Sequence, residues 1–116
     1  MRIWLIGAGR AGTSVLNQFK KNPDIEVIVS DPQEQPKAVQ DGILDKVDIV
    51  ERITPVNINQ VAKRIRPDLI LISTGAGSHS FGNVTGGVAL SEALNYEIST
   101  SSDYPCLVVS RSSIRP

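Results

Sequence analysis

Short, almost unbroken apolar runs alternate along this chain with longer stretches whose apolar residues recur at helical spacing. The runs are Ile3, Leu5 and Ile6; Ile25, Val27, Ile28 and Val29; Val47, Ile49, Val50 and Ile53; Leu69-Ile70-Leu71-Ile72; and Leu107 to Val109, introduced by Pro105. Runs this short and this rich in β-branched residues predict strands buried on both faces, where no regular polar position is tolerated. Between them, Val15, Leu16 and Phe19 form one helical stripe and Ile58, Val61, Ala62 and Ile65 a second, capped by Asn57 and ended by Pro67. Glu34 to Gln40 predicts a short polar helix with Pro36 in its first turn, and Val88, Ala89, Leu90, Ala93 and Leu94 a last one capped by Asn83 or Thr85. Strand followed by helix, repeated, requires parallel pairing with right-handed crossovers. The expected architecture is a five-stranded parallel sheet in the order 3-2-1-4-5 with helices on both faces, one doubly wound α/β domain over residues 1–110 and a polar tail over 111–116.

The first run leads straight into Gly7-Ala8-Gly9-Arg10-Ala11-Gly12, and Asp31 closes the second run nineteen positions after Gly12. Strand, glycine turn, helix, strand and acid is the layout of a Rossmann dinucleotide-binding unit. In that reading Gly7 permits a tight turn, Gly9 lets the main chain approach a pyrophosphate, and Gly12 lets the helix pack closely on the sheet. The free N–H groups opening the helix, with its positive dipole end, face the phosphates. Asp31, followed by Pro32, accepts from the adenosine ribose, which favours NAD(H) over NADP(H) and serves ADP, ATP or AMP equally well. Amides from Thr74 to Gly77 lie in the loop after the fourth strand, so Thr74 and Gly75 are expected to flank the cofactor. The alternative is that the glycines make only a tight turn and Asp31 only ends a strand.

At 116 residues the chain has room for one domain with a real core and none for a separate substrate domain. Twelve basic and twelve acidic side chains cancel, so bulk charge draws it neither to nucleic acid nor to an anionic membrane. No apolar run approaches the roughly 20 residues of a membrane span, and the N-terminus predicts a strand rather than a signal peptide, so the expected location is cytoplasmic. The single cysteine, Cys106, lies in an apolar run and reads as a packing residue. His79 is the only histidine, in a loop from Ser73 to Thr85. It is the one candidate for acid–base catalysis, but it has no identifiable partner beyond Asp103 and no companion at metal-ligand spacing. No metal is expected, and a solvent-exposed loop residue is the favoured reading of His79.

The glycine motif, Asp31 and the segment Pro67-Asp68-Leu69-Ile70-Leu71-Ile72-Ser73-Thr74-Gly75 together resemble the N-terminal core of the potassium-conductance regulator domains, RCK or TrkA-N. The resemblance covers nearly the whole chain. It implies a soluble module that binds NAD(H) or an adenine nucleotide as a regulatory ligand, with Arg10 near the phosphates, a homodimer, and a channel or transporter subunit as partner. The chain departs from the pattern at Arg52-Ile53-Thr54-Pro55, where the family usually carries a Gly-Asp pair. Asn57 to Asp68 is also similar to the cofactor domains of saccharopine dehydrogenase-like oxidoreductases, which implies a cofactor subunit whose chemistry lies elsewhere. A third expectation is a degenerate Rossmann scaffold that binds only protein. Self-association is expected where Val88, Ala89, Leu90 and Leu94 and the last strand leave an apolar edge.

Overall fold

The apolar runs become strands whose two faces are both covered. The computed structural model describes residues 1–73 and 95–109. In chain order these form β1 (Arg2–Ile6), α1 (Arg10–Phe19), β2 (Glu26–Ser30), α2 (Lys37–Gln40), α3 (Ile58–Ile65), β3 (Leu69–Ile72) and β4 (Cys106–Val108). Residues 95–101 are also helical. The strands make one four-stranded sheet in the order β2-β1-β3-β4, with every pair parallel.

Successive side chains of a strand point to opposite faces, so each run splits between two cores. Trp4 and Ile6 of β1, with Ile70 and Ile72 of β3, pack beneath Ile58, Val61, Ala62 and Ile65 of α3 and Ile98. Ile3, Leu5, Val29 and Leu71 pack on the other face against Val15 and Leu16 of α1 and Ala38 of α2. This two-sided burial is why the strands carry no polar alternation. The indole N–H of Trp4 donates to the Ser30 hydroxyl at 2.9 Å, which pairs the polar atom of the largest core side chain. At the amino end of the sheet the main chain of Arg2 donates to the Asp68 carboxylate at 2.7 Å. Its guanidinium pairs with Glu26 and donates to the Ile65 carbonyl at the end of α3.

The expected third strand, Val47 to Ile53, is not a strand, so the described sheet has four strands and not five. It contributes one isolated parallel bridge, Ser30 to Ile49, beside β2 where the expected order placed it. Asp31 N–H donates to the Ile49 carbonyl and Ile49 N–H to the Val29 carbonyl, each at 3.1 Å. Side chains stop the ladder on both sides of that rung. Asp48 brings its carboxylate to the Val29 N–H at 2.8 Å. Downstream, Asp31 Oδ1 takes the Gln33 N–H at 2.8 Å, the donor that the next rung would need. Val47 and Ile53 are buried all the same, so the apolar pattern reported burial there rather than pairing.

Three boundaries also move. The helix expected over Glu34 to Gln40 forms only as α2, with Pro36 at its N-cap. The last strand begins one residue early, at Cys106. Asn57 does not cap α3 by bonding forward, because its carboxamide oxygen accepts instead from the Thr54 N–H at 2.7 Å. The Thr54 hydroxyl accepts from the N–H groups of Val56 and Asn57 at 3.2 and 3.3 Å. Thr54 is therefore the cap of a reciprocal box with Pro55 in its first position. Arg66 then takes a left-handed conformation (φ 55°, ψ 59°) before Pro67 and ends α3. The expected helix carrying Val88 to Leu94 and the tail over 111–116 lie outside the described residues.

Candidate functional site

Four segments converge where β1 runs out into its glycine turn. Gly7 has φ 96°, a conformation that disfavours any side chain. Its N–H donates to the Ser30 carbonyl at 2.7 Å, and its own carbonyl accepts from the Ser73 hydroxyl at 2.7 Å. Ala8 N–H donates to Asp31 Oδ2 at 2.9 Å, and the Ala8 carbonyl accepts from Ala38 N–H at 3.0 Å. The ends of β2 and β3 and the start of α2 thus pair every main-chain polar group of Gly7 and Ala8.

The turn opens outward from the next residue. Gly9 is the N-cap of α1, with no side-chain cap and no acidic residue in the first helical turn. Among the described residues, a Cβ built on Gly9 would meet no atom within 4 Å. Arg10 is exposed and makes no ion pair among the described residues. The N–H groups of Arg10, Ala11 and Gly12 occupy the helical positions that have no intrahelical acceptor, and the first ladder bond runs from Thr13 N–H to the Gly9 carbonyl at 2.8 Å. Gly12 differs from Gly9 because a Cβ there would lie 2.2 Å from the Gly7 carbonyl oxygen and 3.0 Å from the Ser73 hydroxyl. The close approach of α1 to the turn depends on that missing atom.

Asp31 sits directly after β2, and its side chain is turned into the protein at 8% exposure. Its two oxygens accept from separate amides, Oδ2 from Ala8 and Oδ1 from Gln33 at 2.8 Å. Pro32 follows it at the surface. Gly7, Ala8, Gly9, Arg10, Ala11, Gly12 and Asp31 are therefore brought to one end of the sheet, its carboxyl edge, where open α/β sheets bind ligands. Thr74, Gly75 and His79 lie outside the described residues. Ser73 is the part of that loop the structure describes. It is fully buried with its hydroxyl on the Gly7 and Ile6 carbonyls, which makes it a clip for the turn. Its place immediately after the strongest strand run was the only sign of this in the sequence.

Asp103 is exposed, and its N–H donates to the Asn59 side chain at 2.7 Å. Cys106 is half-buried in β4, where desolvation pushes its thiol above the ordinary range and the Ser99 hydroxyl partly offsets this. The neutral thiol is a poor nucleophile and packs against the α3 side of the sheet. Among the described residues there is no group of three or more His, Cys, Asp or Glu that could hold a metal ion, and no helix long and apolar enough to cross a membrane. A separate open groove of about 280 Å³ runs between α2 and the bridge segment, with Glu34, Asp45 and Lys46 beside Val39, Val47 and Val50. It includes no residue of the glycine turn. No protein-family model matches the chain, and no curated protein matches it.

Proposed function

We propose that this protein binds NAD(H) or an adenine nucleotide through the start of α1 and uses it as a regulatory ligand, as the resemblance to potassium-conductance regulator domains implies. One observation carries the reading: α1 begins without a capping side chain, without an acid in its first turn, with Arg10 at its first position, and with open space at Gly9. Each feature leaves the positive end of the helix dipole uncompensated, and a bound anion would compensate it. The start of α3, by contrast, is held by the box of Thr54 and Asn57. Gly7 and Gly12 shape the turn, Gly9 leaves room for phosphate, and Arg10 supplies charge. Ligand binding then biases a homodimer, or a complex with a channel or transporter subunit, by its differential affinity for two states.

The test is thermal unfolding against NAD, NADH, NADP, ATP, ADP and AMP. A ligand at about 100 times its dissociation constant adds roughly 2.7 kcal/mol, a clear rise in Tm. NAD(H) or an adenine nucleotide is expected to raise it. Gly9→Ala meets no protein atom and costs at most about 1 kcal/mol in the free protein, yet it is expected to abolish the ligand-induced rise. No rise with any of the six nucleotides in the wild type rejects the proposal in favour of a protein-binding scaffold.

A further inference from the structure

We propose that Asp31 is the positioning residue of the glycine turn, and that its contribution to ligand binding is the same whether or not the ligand carries a ribose. The inference rests on the nucleotide-site reading above and changes what its acid does. Each carboxylate oxygen already holds a main-chain donor, Oδ2 the Ala8 N–H at 2.9 Å and Oδ1 the Gln33 N–H at 2.8 Å, and the side chain is only 8% exposed, which leaves little of it within reach of a ligand. Oδ2 holds the glycine turn and Oδ1 holds the loop after β2, so the buried carboxylate is placed to order main chain rather than to face a sugar.

Asp31 does not act alone. The preceding residue, Ser30, takes the Gly7 N–H on its carbonyl at 2.7 Å, so two consecutive residues at the end of β2 grip two consecutive amides of the turn. Ser73 holds the Gly7 carbonyl from the opposite neighbour, β3. Glycine has more backbone freedom to lose than any other residue, and this turn carries it at 7, 9 and 12, so an ungripped turn would order only at the ligand's expense. The Asp31 to Ala8 bond removes part of that cost beforehand by fixing the Gly7–Ala8 peptide, while Ala38 holds the next one through the Ala8 carbonyl, so the chain enters Gly9 and the first amides of α1 already ordered. Its benefit reaches the ligand through those amides and hence through phosphate, not through sugar.

The experiment compares wild type with Asp31→Ala, which removes both acceptor oxygens. Amide hydrogen exchange is read without ligand, and affinities for inorganic pyrophosphate and ADP are read by calorimetry at a temperature where both proteins are folded. In the wild type the Ala8 amide is expected to be protected like the amides of β1, although it lies outside the strand ladder. In Asp31→Ala the Ala8 exchange is expected to rise about tenfold or more, the scale of one lost charge-assisted bond. Pyrophosphate and ADP are expected to weaken by the same factor, within about twofold, an effect that a change in global stability alone would not produce. An unprotected Ala8 amide in the wild type, unchanged exchange in the variant, or a loss for ADP at least about tenfold greater than for pyrophosphate overturns the proposal. A wild type that binds neither compound sinks the nucleotide reading instead, and the exchange measurement still decides whether Asp31 holds the turn.

Discussion

Gly7, Gly9 and Gly12 are one letter repeated, and they are glycine for three different reasons. Gly7 needs its positive φ, Gly12 needs the absence of a Cβ against backbone, and Gly9 is free of both demands within the protein. This separates their mutational effects. Gly12→Ala forces a carbon to within 2.2 Å of a main-chain oxygen that cannot rotate away, so it is expected to destabilise the fold by about 3 kcal/mol, the upper end for overpacking. The check is the urea midpoint, which should fall far further for Gly12→Ala than for Gly9→Ala; equal, small losses would refute the close packing of α1 on the turn. The spacing of these glycines and of Asp31 was legible in the sequence because it follows the chain. The partners of Asp31 and Ser73 were not, because they lie 23 and 66 residues away and depend on how strand ends meet.

At the scale of elements, α3 and the bridge segment illustrate how side chains redirect backbone. Periodicity located α3 on its buried face, Ile58, Val61, Ala62 and Ile65, because burial of a stripe is what the pattern records. The cap moved to Thr54, although Thr54-Pro55-Val56-Asn57 carries the signature of a box with proline at its first position. Thr54→Ala removes the hydroxyl that accepts from Val56 and Asn57 N–H and is expected to cost about 1–2 kcal/mol. Chemical denaturation measures this, and a loss below about 0.3 kcal/mol would show that water replaces the cap. Asp48 on the Val29 N–H and Asp31 on the Gln33 N–H limit the expected third strand to one rung. Strand propensity at Val47, Ile49 and Val50 could not report this, since main-chain pairing is decided by which group reaches an amide first.

For the whole molecule, the two cores on opposite faces of a parallel sheet are the common cause of most of what was predictable. One place on that sheet is less covered: Leu107 of β4 is 58% exposed while its register partner Leu71 is 7% exposed. The proposed self-association through this end of the sheet predicts a concentration-dependent dimer in sedimentation, weakened by Leu107→Lys. A monomer throughout the range to high concentration would reject it. The sequence by itself determined the parallel α/β class, the places of β1, β2 and β3 and of α1 and α3, and the glycine turn, because these follow from burial periodicity and local backbone freedom. Only the tertiary structure decided that the third run is a single rung, that Thr54 caps α3, and that Asp31 and Ser73 are clips for the turn. Each of those is a contest between acceptors for one amide or hydroxyl, and the contestants meet only when the chain is folded.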